Sequence, residues 1–308
     1  MNRRDKVIVI FAPTACGKTA LARNLFGKGS LCCFKDRGEV VSADSQAVYI
    51  GMDVGTAKPD AEERADIPHH LLDIVTPDKQ FGVGDFLLLA DKACRDILSR
   101  GKYPIVLGGT GFYIRNFLLG LPVTPASDPV RRELLKERMA QEGSAVLYRE
   151  LQSVDAPAAE KINPHDEYRI IRALEVYYSS GKPLSSYKLP SELRKDFDFL
   201  PIILTRGRED LYQRIDARVE QMFSQGLAEE VKRLKAAGYS ETSPGMKAIG
   251  YSEFFLPGLS LPAIKQRIKA DSHRYAKKQY TFMRDIPHAV SFAADDVASI
   301  LRYLQEKL

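Results

Sequence analysis

Residue types suited to phosphate and proton chemistry recur along this 308-residue chain. The stretch FAPTACGKT, Phe11 to Thr19, ends in Gly17-Lys18-Thr19. A loop of this kind turns its backbone N–H groups inward around an anion, and the helix that follows adds positive potential. Lys18 would reach phosphoryl oxygens, and Thr19 would place a hydroxyl on a magnesium ion. Asp44 adds a carboxylate, Thr110 a polar group among glycines, and Arg206 and Arg208 two cations. Two reactions suit this set. A phosphoryl group could pass to an acceptor, or a pyrophosphate could be held while its carbon leaves and meets a nucleophile. In both, Lys18, magnesium and Arg208 would stabilise charge on the departing phosphate. Asp44 would accept the acceptor's proton or help hold the metal.

The phosphate loop follows the apolar run Val7-Ile8-Val9-Ile10 and precedes Ala20-Leu21-Ala22, the strand, loop and helix of a Walker A motif. Ala12 stands where that motif usually has its first Gly; a positive φ there would be strained, an ordinary one harmless. A second strand, Glu39 to Ala43, delivers Asp44 and Ser45 to the C-terminal edge of a parallel sheet, where ligands collect. A third, Tyr103 to Leu107, runs into Gly108-Gly109-Thr110-Gly111, whose glycines would let the backbone approach a ligand closely. No aspartate follows that strand, unlike an ordinary ATPase. Tyr49 to Phe86 reads as long and irregular, and Asp85 to Arg100 as a helix with Asp85 as its cap. After Pro201 to Thr205, a strand, Arg206 and Arg208 stand at the handover to a helix striped with Leu211, Ile215, Val219 and Phe223.

Between these parts the strands disappear. Helices opened by Ser127 and Pro129, by Ser144 and by Asn163-Pro164 fill residues 121–198. The expected fold is therefore α/β: a P-loop NTPase-like parallel sheet core flanked by helices, with an inserted all-helical domain. The core would take residues 1–120 and 199–308, the latter carrying basic C-terminal helices, and the insertion residues 121–198.

The chain's net charge of +5 is matched by the segment Lys265 to Asp285 alone, with seven Lys or Arg against two Asp. Arg267, Arg274 and Lys278 can share a helix face there, with Tyr275 and Tyr280 interleaved; nucleic-acid backbone contact and a solvated face fit equally. Cys16, Cys32, Cys33 and Cys94 form no C-x-x-C pair, which suits reduced thiols in a cytoplasmic protein. His69 and His70 are adjacent and lack a third ligand, so a structural or substrate-contact role is expected rather than zinc. Residues 1–6 lead straight into a strand, leaving no room for a signal peptide, and no 18-residue apolar run would span a membrane.

The ordered motifs extend beyond the phosphate loop: PTACGKT, ADSQAVY, GMDVGTAKP, HHLLDI, GGTGFY, RIIRALEVY, REDLYQRIDARV, AIGYSEF and HRYAKKQYTFMR. With these the chain resembles the bacterial tRNA dimethylallyltransferases, or tRNA isopentenyltransferases, over nearly its whole length. The resemblance implies transfer of a dimethylallyl group from its diphosphate to N6 of adenosine 37, in tRNAs reading codons that begin with U. It implies Mg2+, a diphosphate held by Pro13, Thr14, Ala15, Cys16, Gly17, Lys18 and Thr19, and metal contact by Thr19 and Asp44. Asp44 would be the general base, Thr110 would position it, and Arg208 would steady the leaving diphosphate. Ser45, Gln46 and Ala47 would lie beside the adenosine. The helical insertion would grip the anticodon stem-loop through Arg132, Arg169 and Arg172, with Arg274 and Lys278 as further tRNA contacts. The protein is expected to act as a cytoplasmic monomer off the membrane.

Several residues depart from the family pattern. Ala12 and Cys16 replace the usual Gly and Ser, Gln46-Ala47 replaces Met-Gln or Arg-Gln, His273 replaces Arg, and Phe282-Met283 replaces Trp-Phe. None removes the base, the hydroxyl or the lysine.

Overall fold

Val7, Val9 and Phe11 are buried on one side of the first strand, and Ile8, Ile10 and Ala12 on the other. A strand apolar on both faces needs cover on both, as in a parallel sheet with helices on each side. The computed structural model describes residues 5–308; the N-terminal reading rests in part on residues 1–4, which lie outside the described residues. The elements run β1 (Lys6–Phe11), α1 (Lys18–Phe26), β2 (Gly38–Ser42), α2 (Ala61–Asp66), β3 (His69–His70), α3 (Val83–Ser99), β4 (Tyr103–Gly108) and α4 (Gly111–Leu119). Helices α5 (Pro129–Glu142), α6 (Ser144–Val154), α7 (Ala156–Ala159) and α8 (Glu167–Ser180) follow. The chain then returns through β5 (Asp198–Thr205), α9 (Arg208–Ser224), α10 (Leu227–Ala236), α11 (Leu261–Met283), β6 (Val290–Ala293) and α12 (Val297–Lys307).

The six strands are parallel in the order β3-β2-β4-β1-β5-β6. Chain leaving β1 next enters the sheet at β2, and chain leaving β4 next enters it at β5, on the other side of β1. That reversal opens a crevice at the carboxyl ends of β1 and β4. The register aligns those ends: Phe11 lies opposite Gly108, and Ser42 opposite Leu107. The loops that start with Ala12, Ala43 and Gly109 therefore leave the sheet side by side.

Two expectations about the elements change. The stretch from Tyr49 to Phe86 is ordered: Asp60 and Glu63 cap α2 reciprocally, with bonds of 2.8 and 3.2 Å, and His69-His70 pairs with β2. Asp85 sits at the third position of α3, not at its cap, and its carboxylate accepts from the Gly82 N–H at 2.8 Å.

The chain divides into two compact units, one ending at Leu119 and resuming at Glu192, the other Gly120–Ser191. The smaller unit closes at 191 rather than 198 because Arg194 already belongs to the larger one, bonding Asp91 at 2.8 Å and the Phe117 carbonyl at 2.6 Å. Within the smaller unit, Leu135, Met139, Leu147, Leu151, Ile170 and Leu174 form a core of their own. Its last helix opens at Asp166, whose side chain accepts from the Arg169 N–H, three residues after the expected Asn163. Among the described residues no helix is long and apolar enough to cross a membrane.

Candidate active site

The phosphate loop takes its shape from two left-handed residues, Ala15 at φ 58° and Gly17 at φ 100°. Ala12 is not among the residues of positive φ, so its Cβ is harmless. The strain falls on Ala15 instead, on the order of 1–2 kcal/mol for a residue with a Cβ. Outside contacts hold that conformation. The Thr14 N–H donates to Gln279 Oε1 at 3.0 Å, Arg214 Nε donates to the Ala15 carbonyl at 3.0 Å, and Arg206 Nε to the Cys16 carbonyl at 3.4 Å. Cys16 is buried, and that burial pushes its thiol up despite the Arg206 and Lys18 charges nearby; it packs as a small neutral group.

Lys18 opens α1. Withdrawal from water and the Arg218 charge push its ammonium down to about 8, with Asp44 pulling the other way. Asp44 leaves β2 in a turn of its own making: Oδ1 accepts from the N–H groups of Gln46 at 2.8 Å and Ala47 at 3.3 Å. Among the described residues no hydrogen bond engages its Oδ2. Thr110 does not itself line the cavity. Its Oγ1 accepts from the Ser45 N–H at 3.0 Å and lies 3.3 Å from Ser45 Oγ, tying the β4 loop to the β2 loop. Tyr275, on α11, donates to the Gly109 carbonyl at 3.3 Å, and burial and the Asp44 charge push it up to about 12, so it remains a neutral hydroxyl.

These loops and helices α9 and α11 enclose a cavity of about 240 Å³. Thr14, Asp44, Gln46, Arg218 and Lys247 are among its polar residues; Met222 and Ile268 are among the apolar residues facing it. The Gln46 Oε1 is buried without a hydrogen-bond partner.

The glycines at the end of β4 and just after it are required for packing. A Cβ on Gly108 would lie 2.1 Å from the Ala43 carbonyl oxygen, one on Gly109 2.3 Å from Gln279 Nε2, and one on Gly111 2.6 Å from Phe282 Cγ. They let β2 and α11 close on β4. Phe282, where the family pattern has Trp, thus covers Gly111. His273 stacks on Tyr212 with centroids 4.1 Å apart, and its Nε2 lies 2.9 Å from Asp216 Oδ1. His70 Nε2 meets buried Glu39 at 2.8 Å, and His69 Nδ1 the Ile67 carbonyl at 2.8 Å, a structural use of both rings.

The expected cations separate into groups. Arg208 is exposed at the start of α9, its guanidinium 5.3 Å from the centre of the Tyr212 ring, and is not part of the cavity wall. Arg206 and Arg214 reach the phosphate loop, and Arg218 lines the cavity while donating to the Thr56 carbonyl at 3.1 Å. Burial pushes Arg218 down, opposed by Asp44. Sequence reasoning missed Arg214 and Arg218; their spacing of one helical turn, each beside a residue of the apolar stripe, is the signal that was there. In the smaller unit, Arg172 bonds Glu175 at 2.9 Å, Thr124 at 3.2 Å and the Pro125 carbonyl at 2.9 Å, and Arg132 lies 3.2 Å from Glu175. Glu175 is fully buried and anchors both guanidinium groups, two positive charges on one negative, so neither stands free of a protein partner. Arg169 is exposed beside Asp166, Arg274 is exposed but paired with Asp271, and Lys278 is exposed.

The family model for IPP transferase matches residues 47–286. The chain is 43% identical over 288 residues to a tRNA dimethylallyltransferase of Geobacter sulfurreducens, covering 92% of this chain and 90% of that one. It is 40% identical over 315 residues to one of Geobacillus kaustophilus, covering 99% and 98%. Among solved structures, a tRNA isopentenylpyrophosphate transferase from Bacillus halodurans is similar at TM-score 0.68 and 33% identity, covering 99% and 97%. A eukaryotic dimethylallyltransferase acting on tRNA is similar at TM-score 0.77 and 29% identity, covering 98% and 77%. On this extent of match, with Thr14 of the phosphate loop, the Asp44 carboxylate and an apolar wall lining one cavity, the chain belongs to the IPP transferase family.

Proposed function

We propose that the protein moves a dimethylallyl group from dimethylallyl diphosphate to N6 of adenosine 37, beside the anticodon of tRNAs reading codons that begin with U, and releases diphosphate. The observation that carries this reading is one cavity lined by Thr14 of the phosphate loop, the Asp44 carboxylate and a hydrocarbon wall. The apolar wall favours a prenyl group over the phosphoryl transfer that the phosphate loop alone allows.

The diphosphate is assigned to the phosphate loop of residues 13–19, through the backbone N–H groups of Ala15, Gly17, Lys18 and Thr19 and the Lys18 ammonium, since Pro13 has no N–H and those of Thr14 and Cys16 are already bonded, with Arg206, Arg214 and Arg218 beside it. As the C1–O bond breaks, its electron pair goes to the diphosphate, and these cations take up the added charge. The N6 nitrogen forms the new bond to C1 and gives up a proton. Adenine's amino group is a poor nucleophile, so orientation and proton removal must supply the help. Asp44 Oδ2 is assigned that proton, because Oδ1 is already committed to two backbone donors. Gln46 Oε1, lacking a donor, is assigned the other N6 hydrogen, a pairing that glutamine makes with adenine edges. Thr110 acts through Ser45, holding the Asp44 turn in place. An anticodon-loop base is already unpaired, so presenting it is cheaper than extruding one from a duplex.

Mg2+ fits the donors present. The Thr19 hydroxyl is a hard oxygen ligand; Asp44, with Oδ1 held by two N–H groups and Oδ2 assigned the N6 proton, would contact Mg2+ only through water, and Mg2+ completes its shell with phosphate oxygens and water rather than a protein cage. No group of three or more His, Cys, Asp or Glu among the described residues offers a rival site. When bound, it would supply Lewis-acid stabilisation of the leaving diphosphate. Arg169 and Lys278 are assigned to the tRNA backbone, and Arg208 to an outer contact.

The test is to incubate protein, Mg2+, unmodified tRNA and dimethylallyl diphosphate, then digest the tRNA and weigh its nucleosides. A single dimethylallyl group gained at adenosine 37 is expected. No gain with folded protein, together with label transfer from the γ-position of ATP, would replace this reading with a kinase.

A further inference from the structure

Two helices carry the cavity wall from the phosphate loop to its far end. On α9, Arg214 bonds the loop carbonyl of Ala15, Arg218 lies in the field of Asp44, and Met222 comes one turn later. On α11, Gln279 bonds both Thr14 and Gly109, Tyr275 bonds Gly109, and Ile268 lies about two turns back. The helices run antiparallel, since Asp216 meets His273 at 2.9 Å and Glu220 meets Lys269 at 2.7 Å. Met222 therefore faces the level of Ile268. Each step of four residues advances about 6 Å, so the wall passes from guanidinium to hydrocarbon within about 12 Å of the loop. Met222 and Ile268 are both buried and belong to the same apolar cluster as Val219, Leu227 and Ile264, so core, not solvent, lies behind them.

We propose that Met222 and Ile268 close this end of the cavity against the isoprenoid chain and set its length. They leave room for the five-carbon dimethylallyl group and stop the ten-carbon chain of geranyl diphosphate. A diphosphate anchored at the loop fixes where the chain starts, so a wall at fixed distance becomes a gauge. Met222 supplies the removable part, an unbranched side chain whose truncation opens space in line with the chain. The inference rests on the functional reading above, and its test separates the two.

Wild type, Met222→Ala, Met222→Leu and Ile268→Val are each given equal dimethylallyl and geranyl diphosphate with unmodified tRNA, and the five- and ten-carbon nucleosides are weighed. Met222→Ala is expected to raise the ten-to-five ratio roughly tenfold or more, the discrimination one or two methylenes supply. Met222→Leu, which conserves volume, should leave it near wild type, and Ile268→Val should raise it by less. An unchanged ratio in a folded, active Met222→Ala overturns the gauge. Should that variant not fold, an unchanged ratio in Ile268→Val does the same. No prenyl product from wild type overturns the functional reading instead.

Discussion

Arginines do opposite work in the two units. At the sheet edge, Arg214 reaches the phosphate loop through the Ala15 carbonyl, and Arg218 reaches the cavity while bonded to the Thr56 carbonyl; Arg206, on the Cys16 carbonyl, also pairs with Asp210 at 2.6 Å and stands between the two cases. In the smaller unit, Arg132 and Arg172 converge on the fully buried Glu175. A guanidinium resting on carbonyl oxygens keeps its positive charge available to an anion, whereas one paired with a buried carboxylate has spent it on that partner. Position along the sequence does not distinguish the two groups; the partner does.

Removing charge at the site should have the largest effects. Lys18→Ala is expected to lower kcat/KM by on the order of 10²–10³ and to weaken dimethylallyl diphosphate binding, while tRNA binding changes little; equal losses in both titrations would mean a folding defect. Arg218→Ala should follow, at about 10² in kcat, and exposed Arg208→Ala should cost less than about threefold if the cations inside the cavity carry the charge. Steady-state kinetics on the pair would reverse the comparison if Arg208 proved the costlier.

The charged form of Lys18 predominates below about 8 and is lost above it. Affinity for the diphosphate should therefore fall as pH rises through that value, towards about tenfold per unit. Lys18→Arg, whose cation persists, should flatten the profile whatever its effect on rate. A wild-type affinity flat to pH 10 would remove Lys18 from the anion site.

In the smaller unit the expected losses are of stability. Glu175→Ala leaves two guanidinium groups without their buried partner, a change that costs about 3–5 kcal/mol, measurable as a lowered melting temperature. Burial pushes the Glu175 carboxyl up, but bonds from Arg172, Ser127 and the Asp128 N–H with the Arg132 charge outweigh it and hold it below the ordinary carboxylate range. Because its folded value is depressed, its contribution is present above the ordinary glutamate value of 4.5 and disappears as pH falls through the folded value. Smallest of all, Arg169→Ala should weaken tRNA binding only a few-fold and flatten its salt dependence by about one charge. A larger loss from Arg132→Ala with no change in melting would return that residue to the RNA.

The sequence made local features legible and concealed tertiary ones. Val7 to Ile10 leading into Gly17-Lys18-Thr19 announces itself because strand, loop and helix are contiguous. Asp44 and Thr110 could be placed at one edge because a parallel sheet brings strand ends together. The packing role of the glycines at 108, 109 and 111 was hidden, since nothing local says that Ala43, Gln279 and Phe282 press against them. Glu230 was invisible for the same reason. From α10 it accepts the N–H groups of Asp53, Val54 and Gly55 and the Tyr251 hydroxyl, fixing the loop whose Thr56 carbonyl receives Arg218. Arg214 and Arg218 were hidden because a charged residue beside an apolar stripe is ordinary on any amphipathic helix.

The most direct test of the proposed chemistry is Asp44→Asn under single-turnover conditions, with tRNA binding measured on the same preparation. Asparagine keeps the shape and can still accept the Gln46 N–H, but it cannot take the N6 proton. Dimethylallyl transfer to adenosine 37 should fall by about 10² or more while tRNA affinity stays within about threefold of wild type. Transfer at the wild-type rate by a folded Asp44→Asn enzyme would contradict the assignment of Asp44 as the base.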